Sequence, residues 1–297
     1  MINIGYTNKR GMPSAESTKI FKAASTTYFT SSLFFPSRIQ EKIFTLYAFV
    51  RVADNYVDSI PQNAEGFYRF RAAYYAYVTS QALPADFSLD PTTQSIIKNF
   101  VTLQNLHSFK QVWVDAFLKA MELDLYKAQY HTMAELKSYM YGSAEVIGLM
   151  ICACLGIDTK AYPTARLLGR AMQYANFLRD VAEDITLGRQ YIPDEVLHVY
   201  GLPELSYKTA EEQPTAFAAL YRNEGSRYHH WNSAAQNGFV FLPLYARIPV
   251  ATATHMYTWT VQTICRNPLF VFKKKIKPTK LQVVQAAITE WFITRVA

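Results

Sequence analysis

The sequence predicts a single all-α domain. Glycine is sparse, with 11 residues in 297, while tyrosine (21) and phenylalanine (19) are abundant, a balance that disfavours a turn-rich β fold. Apolar residues recur at helical spacing through long stretches. No composition shift, solenoid-length repeat or low-complexity tract divides the chain. Residues 1–297 are therefore read as one domain, with residues 1–15 a flexible N-terminus.

The first strong helix opens after Pro36, where Ser37 is placed to cap and Gln40 to reach back. It runs through EKIFTLYAFVRVADNYVD and stops before Pro61. A second helical stretch covers about 63–81, and LPADFSLDPTT (83–93) is a loop between Pro84 and Pro91. Helical periodicity resumes over about 92–106, 109–128 and 133–155. TARLLGRAMQYANFLRDVAEDITLG (164–188) is another long helix, ended by Gly188. Residues 189–212 are read as an irregular connection with two prolines. Stretches 213–236 and 240–267 are helical again, and a closing helix starts at Lys280.

Composition excludes several classes. Half of the residues are hydrophobic, yet no uninterrupted apolar run reaches the ~18–20 residues of a membrane-spanning helix. The N-terminal MINIGYTNKRGMPSAEST lacks the apolar segment of a signal peptide, so the expected location is cytoplasmic. Cys152, Cys154 and Cys265 have neither a disulfide framework nor metal spacing, and are expected as buried apolar thiols. A net charge of +7 favours anionic partners such as phosphates, nucleic acid or an acidic membrane surface. No zinc finger, nucleic-acid-binding repeat or nucleotide glycine loop appears, so nucleic acid is not an expected partner.

Two polar stripes carry the chemistry. Tyr47, Arg51, Asp54 and Asp58 lie at offsets 0, 4, 7 and 11; Gln173, Asn176, Asp180 and Asp184 lie at 0, 3, 7 and 11. Each set follows one helical face over three turns, in mostly apolar surroundings. Asp86 and Asp90 share the four-residue spacing but fall in the 83–93 loop, where no helix aligns them. Carboxylates gathered beside an apolar surface need positive charge, because an unpaired buried charge is costly. Hard oxygen ligands without His or Cys suit Mg²⁺, which binds through one or two carboxylates plus substrate phosphates. Two such pairs bridged by Mg²⁺ to a diphosphate make it a good leaving group, and an aromatic interior holds a hydrocarbon and attracts cations. The constellation reads as ionisation of a prenyl diphosphate.

At these residues the chain resembles the squalene and phytoene synthase family. LYAFVRVADNYVD is similar to that family's first aspartate motif, and QYANFLRDVAEDITLGRQYIP to its second; MELDLYKAQYHTMAELKSYMYGSAEVIGLM is similar to the segment between them. The resemblance implies an isoprenoid-synthase helical bundle around a central apolar cavity. It implies that two prenyl diphosphates are joined 1′-to-1 through a cyclopropylcarbinyl diphosphate, with Mg²⁺ (or Mn²⁺ in its place). Asp54, Asp58, Asp180 and Asp184, with Asn176, are then the expected metal ligands. Arg51, Gln173 and Asn176 are expected at diphosphates, Tyr47 and Tyr141 at the intermediates, and Thr27, Tyr28 and Tyr257 at the substrate.

Where many members read VAGTVG this chain has SAEVIG, so Glu145 either adds a metal or water contact or pairs with an arginine. Glu183 is read as supporting rather than ligating. The chain ends at WFITRVA without the C-terminal membrane helix of eukaryotic squalene synthases. Two C20 geranylgeranyl diphosphates giving phytoene, without NADPH, are therefore expected. C15 farnesyl diphosphate giving dehydrosqualene or squalene is the alternative, and a catalytically silent lipid-binding or assembly relative is another. FKKKIKPTK (272–280) is a solvated charge run, a contact for anionic lipid, or a source of a lysine for diphosphate.

Overall fold

A computed structural model describes residues 14–24, 26–84 and 87–296, with side chains except at 24, 26, 27 and 294–296. The helices are α1 (Ala15–Ala24), α2 (Thr26–Ser32), α3 (Ser37–Asp58), α4 (Ala64–Val78), α5 (Pro91–Leu106) and α6 (Gln111–Leu123). They continue with α7 (Met133–Met140), a π-helical turn (Tyr141–Glu145), α8 (Val146–Leu155), α9 (Tyr162–Arg179), α10 (Val181–Thr186), α11 (Asp194–Val199) and α12 (Tyr207–Glu212). The last are α13 (Pro214–Gln236), α14 (Leu244–Arg266), α15 (Phe270–Lys273) and α16 (Lys280–Val296). Among the described residues there is no strand. One isolated parallel bridge, Gln129 to Gln190, ties the loop after α6 to the segment after α10.

The all-α expectation holds, with local corrections. Pro36 rather than Ser37 takes the cap position of α3, and it has no side-chain acceptor. Gln40 does reach back, donating Nε2 to the carbonyls of Leu33 (3.1 Å) and Phe35 (2.8 Å). Asp90 of the loop pair caps α5, accepting from the Thr93 amide at 2.8 Å, a structural role; Asp86 lies outside the described residues. The segment before Pro36 holds α1 and α2, so Ala15 is already helical; residues 1–13 lie outside the described residues. The 189–212 connection contains α11 and α12, the latter capped by Ser206. The helix read over 164–188 is interrupted at Asp180, whose φ of −97° and ψ of 17° separate α9 from α10.

α9 is the central element, packed on α8, α13, α14 and the π turn. Its approach to α8 is set by two glycines that exchange roles. A Cβ on Gly148 would sit 2.7 Å from the Ala165 carbonyl oxygen, and one on Gly169 would sit 2.7 Å from that of Ala144. Between them Glu145, with no exposed side-chain surface, pairs with Arg166 Nε (2.8 Å) and Arg170 (2.6 Å), one turn apart on α9. This settles the SAEVIG departure: Glu145 is an arginine partner that fixes the α8–α9 crossing. The continuous rod Met133–Leu155 is 23 residues and apolar enough to cross a bilayer by length and composition. Most of it is buried within the fold, as suits a core helix.

Candidate active site

α1, α2, α3, α6, α7, α8, α9, α10 and α14 enclose a cavity of about 520 Å³. One end closes on a separate apolar cluster that includes Phe35, Ile43, Leu155, Ile157 and Ala161. At the other end the wall turns acidic, with Asp54 and Asp58 from α3 and Asp180 and Asp184 from the α9–α10 junction. From Ile43 to Asp58 the wall of α3 is about 22 Å long at the α-helical rise. The two stripes read from spacing therefore line one cavity. Tyr47, Arg51, Gln173, Asn176, Tyr28 and Tyr257 line it too.

Most of the carboxylates meet cations. Asp54 pairs with Arg51. Asp58 receives Arg189 Nη1 at 2.7 Å, and Nη2 of the same guanidinium donates to the carbonyls of Val57 (2.7 Å) and Asp124 (3.0 Å). Asp180 accepts from Arg179 Nε at 2.8 Å and lies 3.6 Å from Lys275 Nζ, which also contacts Glu183. These neighbours do not neutralise the site. Burial, and next the charge of Asp58, raise the Asp54 carboxyl to about 7, against the opposing pull of Arg51. Burial and the Asp180 charge hold Asp184 well above the usual carboxylate range. Burial and mutual repulsion thus act on Asp54 and Asp184 even with arginines and a lysine beside them.

The apolar wall is aromatic. Phe21 stacks on Tyr47 with centroids 3.8 Å apart. Tyr28 and Tyr257 meet at 5.5 Å, and the Tyr28 hydroxyl donates to Met172 Sδ at 2.8 Å. Burial raises the phenols of Tyr28, Tyr47 and Tyr257, so all three stay protonated near neutral pH.

The donor set fits a hard divalent cation. Asn176 donates to Gln173 Oε1 at 3.2 Å, while its own Oδ1 is buried and has no partner among the described residues. That oxygen shares a wall with Asp180 and Asp184, and an unpartnered buried carbonyl oxygen beside carboxylates fits a hard cation. Among the described residues no three His, Cys, Asp or Glu close around a point by themselves.

One expectation is corrected. Tyr141 does not line the cavity; its ring lies under the Arg166 guanidinium at 5.1 Å. The inward face of this rod runs Tyr139, Ser143, Ile147, Ile151, and two helical positions from Tyr139 is more than half a turn away. Glu183, read as supporting rather than ligating, lines the cavity and pairs with Lys275. The Thr27 side chain lies outside the described residues. Sequence reasoning also missed Asp124, Tyr139, Arg179, Arg189 and Tyr191, all on the cavity wall, where Lys275 and Lys277 of the 272–280 run join them. The Tyr139 and Tyr191 hydroxyls donate to Asp124 at 2.7 and 3.1 Å. Burial raises Asp124 to about 6, with Arg189 opposing. Arg189 and Tyr191 stand in the GRQYIP tail, the one signal that pointed toward them.

A family model described as squalene/phytoene synthase matches residues 21–282, a span that contains every cavity-lining residue. The chain belongs to this family of prenyltransferases. Among squalene/phytoene synthase relatives, a 15-cis-phytoene synthase from Synechocystis sp. is 28% identical over 262 residues, covering 84% of this chain and 75% of the relative. A phytoene synthase from Rhodobacter capsulatus is 26% identical over 80% of this chain and 69% of its own length. Among solved structures, a dehydrosqualene synthase in complex with ligand superposes with a TM-score of 0.82 at 21% identity, over 95% of this chain and 96% of that one. The squalene synthase HpnC from Alicyclobacillus acidocaldarius gives 0.69 at 17% identity, over 86% and 93%. These two likenesses speak to the fold.

Proposed function

We propose that the protein joins two geranylgeranyl diphosphates 1′-to-1 into phytoene through prephytoene diphosphate, in carotenoid biosynthesis. The observation that carries this is one cavity with two acidic faces at one end and an aromatic and aliphatic wall closing at the other. The phytoene synthase relatives support the C20 substrate.

Asp54, Asp58, Asp180 and Asp184, with Asn176 Oδ1, would hold Mg²⁺, which when bound supplies the positive charge that stabilises a departing diphosphate. Arg51, Arg179 and Arg189 place further cationic donors at the same end. Tyr28, Tyr47 and Tyr257 line the cavity, where aromatic rings would attract an allylic cation, and their protonated phenols supply dipoles rather than charge. Phe21, Phe117 and Phe177 complete a wall that keeps water from that cation. Over the full reaction two diphosphates and two protons leave, one proton as the cyclopropane closes and one in the final elimination, and no reductant is consumed.

Incubation with Mg²⁺ and radiolabelled C20 or C15 diphosphate, with and without NADPH, tests the reading. Phytoene from the C20 substrate, independent of NADPH and abolished by chelation, is the expected result. A C15-only product would reassign the substrate, and no product from either would point to a silent relative.

We also propose peripheral contact with anionic lipid. α16 turns Leu281, Ile288 and Phe292 outward in one exposed row next to Lys280, an apolar stripe with a basic flank. Co-sedimentation with anionic vesicles that weakens in high salt is expected; no binding at low salt would contradict it.

A further inference from the structure

The basic stretch after α15 is not a solvated charge run throughout. Between α15 and α16 the chain has no regular secondary structure, and Ile276 is buried in the main core. Its neighbours Lys275 and Lys277 both line the cavity. α15 packs on α10, which fixes this strap against the second acidic helix. Lys275 Nζ contacts the Glu183 carboxylate and lies 3.6 Å from Asp180 Oδ1. Lys277 has no ion-pair partner among the described residues; burial, and next the charge of Lys275, lower its ammonium. Lys274, by contrast, rests over the Phe270 ring at 4.3 Å and does not line the cavity.

An ammonium and a divalent cation drawn to the same carboxylate repel each other, the more so in a partly buried site. Lysine is also a point charge on a flexible four-carbon stem, able to change partner from a fixed backbone. We propose that Lys275 is a placeholder cation: it neutralises Asp180 and Glu183 while the metal is absent, is displaced when a divalent cation binds, and then joins Lys277 in holding a diphosphate. This rests on the metal–diphosphate reading of the site. It gives Lys275 two opposite effects, competition with metal and attraction of diphosphate, which a purely structural ion pair would not produce.

Calorimetric titration of the whole protein with Mg²⁺ alone, and with inorganic pyrophosphate in the presence of Mg²⁺, separates these effects. Lys275→Met is expected to bind Mg²⁺ about three- to fivefold more tightly, the worth of a half-exposed ion pair. It is expected to bind pyrophosphate about tenfold more weakly, the worth of a charge-assisted hydrogen bond. Lys275→Arg restores pyrophosphate binding, and Lys274→Met, with the same change in net charge, changes neither titration. Helical circular dichroism and melting temperature check that each variant is folded. Binding by the wild type with both titrations unchanged in Lys275→Met, or both weakened, would overturn the exchange while leaving the metal–diphosphate reading intact. A wild-type protein that binds neither Mg²⁺ nor Mg²⁺ with pyrophosphate would overturn both.

Discussion

Asp54 holds its proton up to about 7 because it is buried beside Asp58, whereas in an unfolded chain it ionises near about 3.9. Between those values the folded state binds a proton that the unfolded state has lost. That binding favours the fold below about pH 4 and ceases to do so as pH rises through about 7. The metal-free protein should therefore lose melting temperature between about pH 4 and 7, with a shallower fall in Asp54→Asn; equal slopes would contradict the assignment. Mg²⁺–pyrophosphate binding, which needs the carboxylate, strengthens over the same window. The two tyrosines of the YMY segment give a second contrast. Tyr139→Phe removes the cavity-side hydroxyl that bonds Asp124 and should lower kcat/KM about ten- to hundredfold. Tyr141→Phe, off the cavity, should stay within about twofold. The aspartate stripes were legible because a helical period repeated over three turns leaves a pattern in the sequence. Tyr139 and Asp124 left none, since each reaches the site singly from its own element.

The long helices were readable because their apolar faces recur over many turns, as in α3 and α13. α11 and α12 were not, being six residues each, too short for periodicity to emerge. The interruption at Asp180 was also hidden, since VAED continues the helical pattern across it. Three residues past that interruption, Glu183 lines the cavity and meets Lys275. The α8–α9 crossing rests on Gly148, Gly169 and the Glu145–Arg166–Arg170 cluster. Glu145→Ala leaves two arginines facing each other without their carboxylate. It should cost about 2–3 kcal/mol in urea denaturation, less than a wholly buried pair because the Arg166 side chain is 44% exposed. A loss under about 0.5 kcal/mol, the scale of an ordinary surface change, would show that the glycine seam alone sets the crossing.

At the scale of the molecule, the walls of one cavity come from segments more than 200 residues apart, from Phe21 to Lys277. Spacing within a helix revealed each acidic face, but only the fold shows that the two faces share a cavity and where its floor lies. The central claim is that they work as one diphosphate-ionising site. Asp54→Asn and Asp180→Asn, singly and together, test it most directly, through phytoene formed from radiolabelled geranylgeranyl diphosphate with Mg²⁺ and circular dichroism on the same samples. Each single variant should lose at least about a hundredfold in turnover. The double variant should be little worse than either, as for groups acting as a unit, with its helical spectrum unchanged. A folded double variant with wild-type turnover would contradict the account.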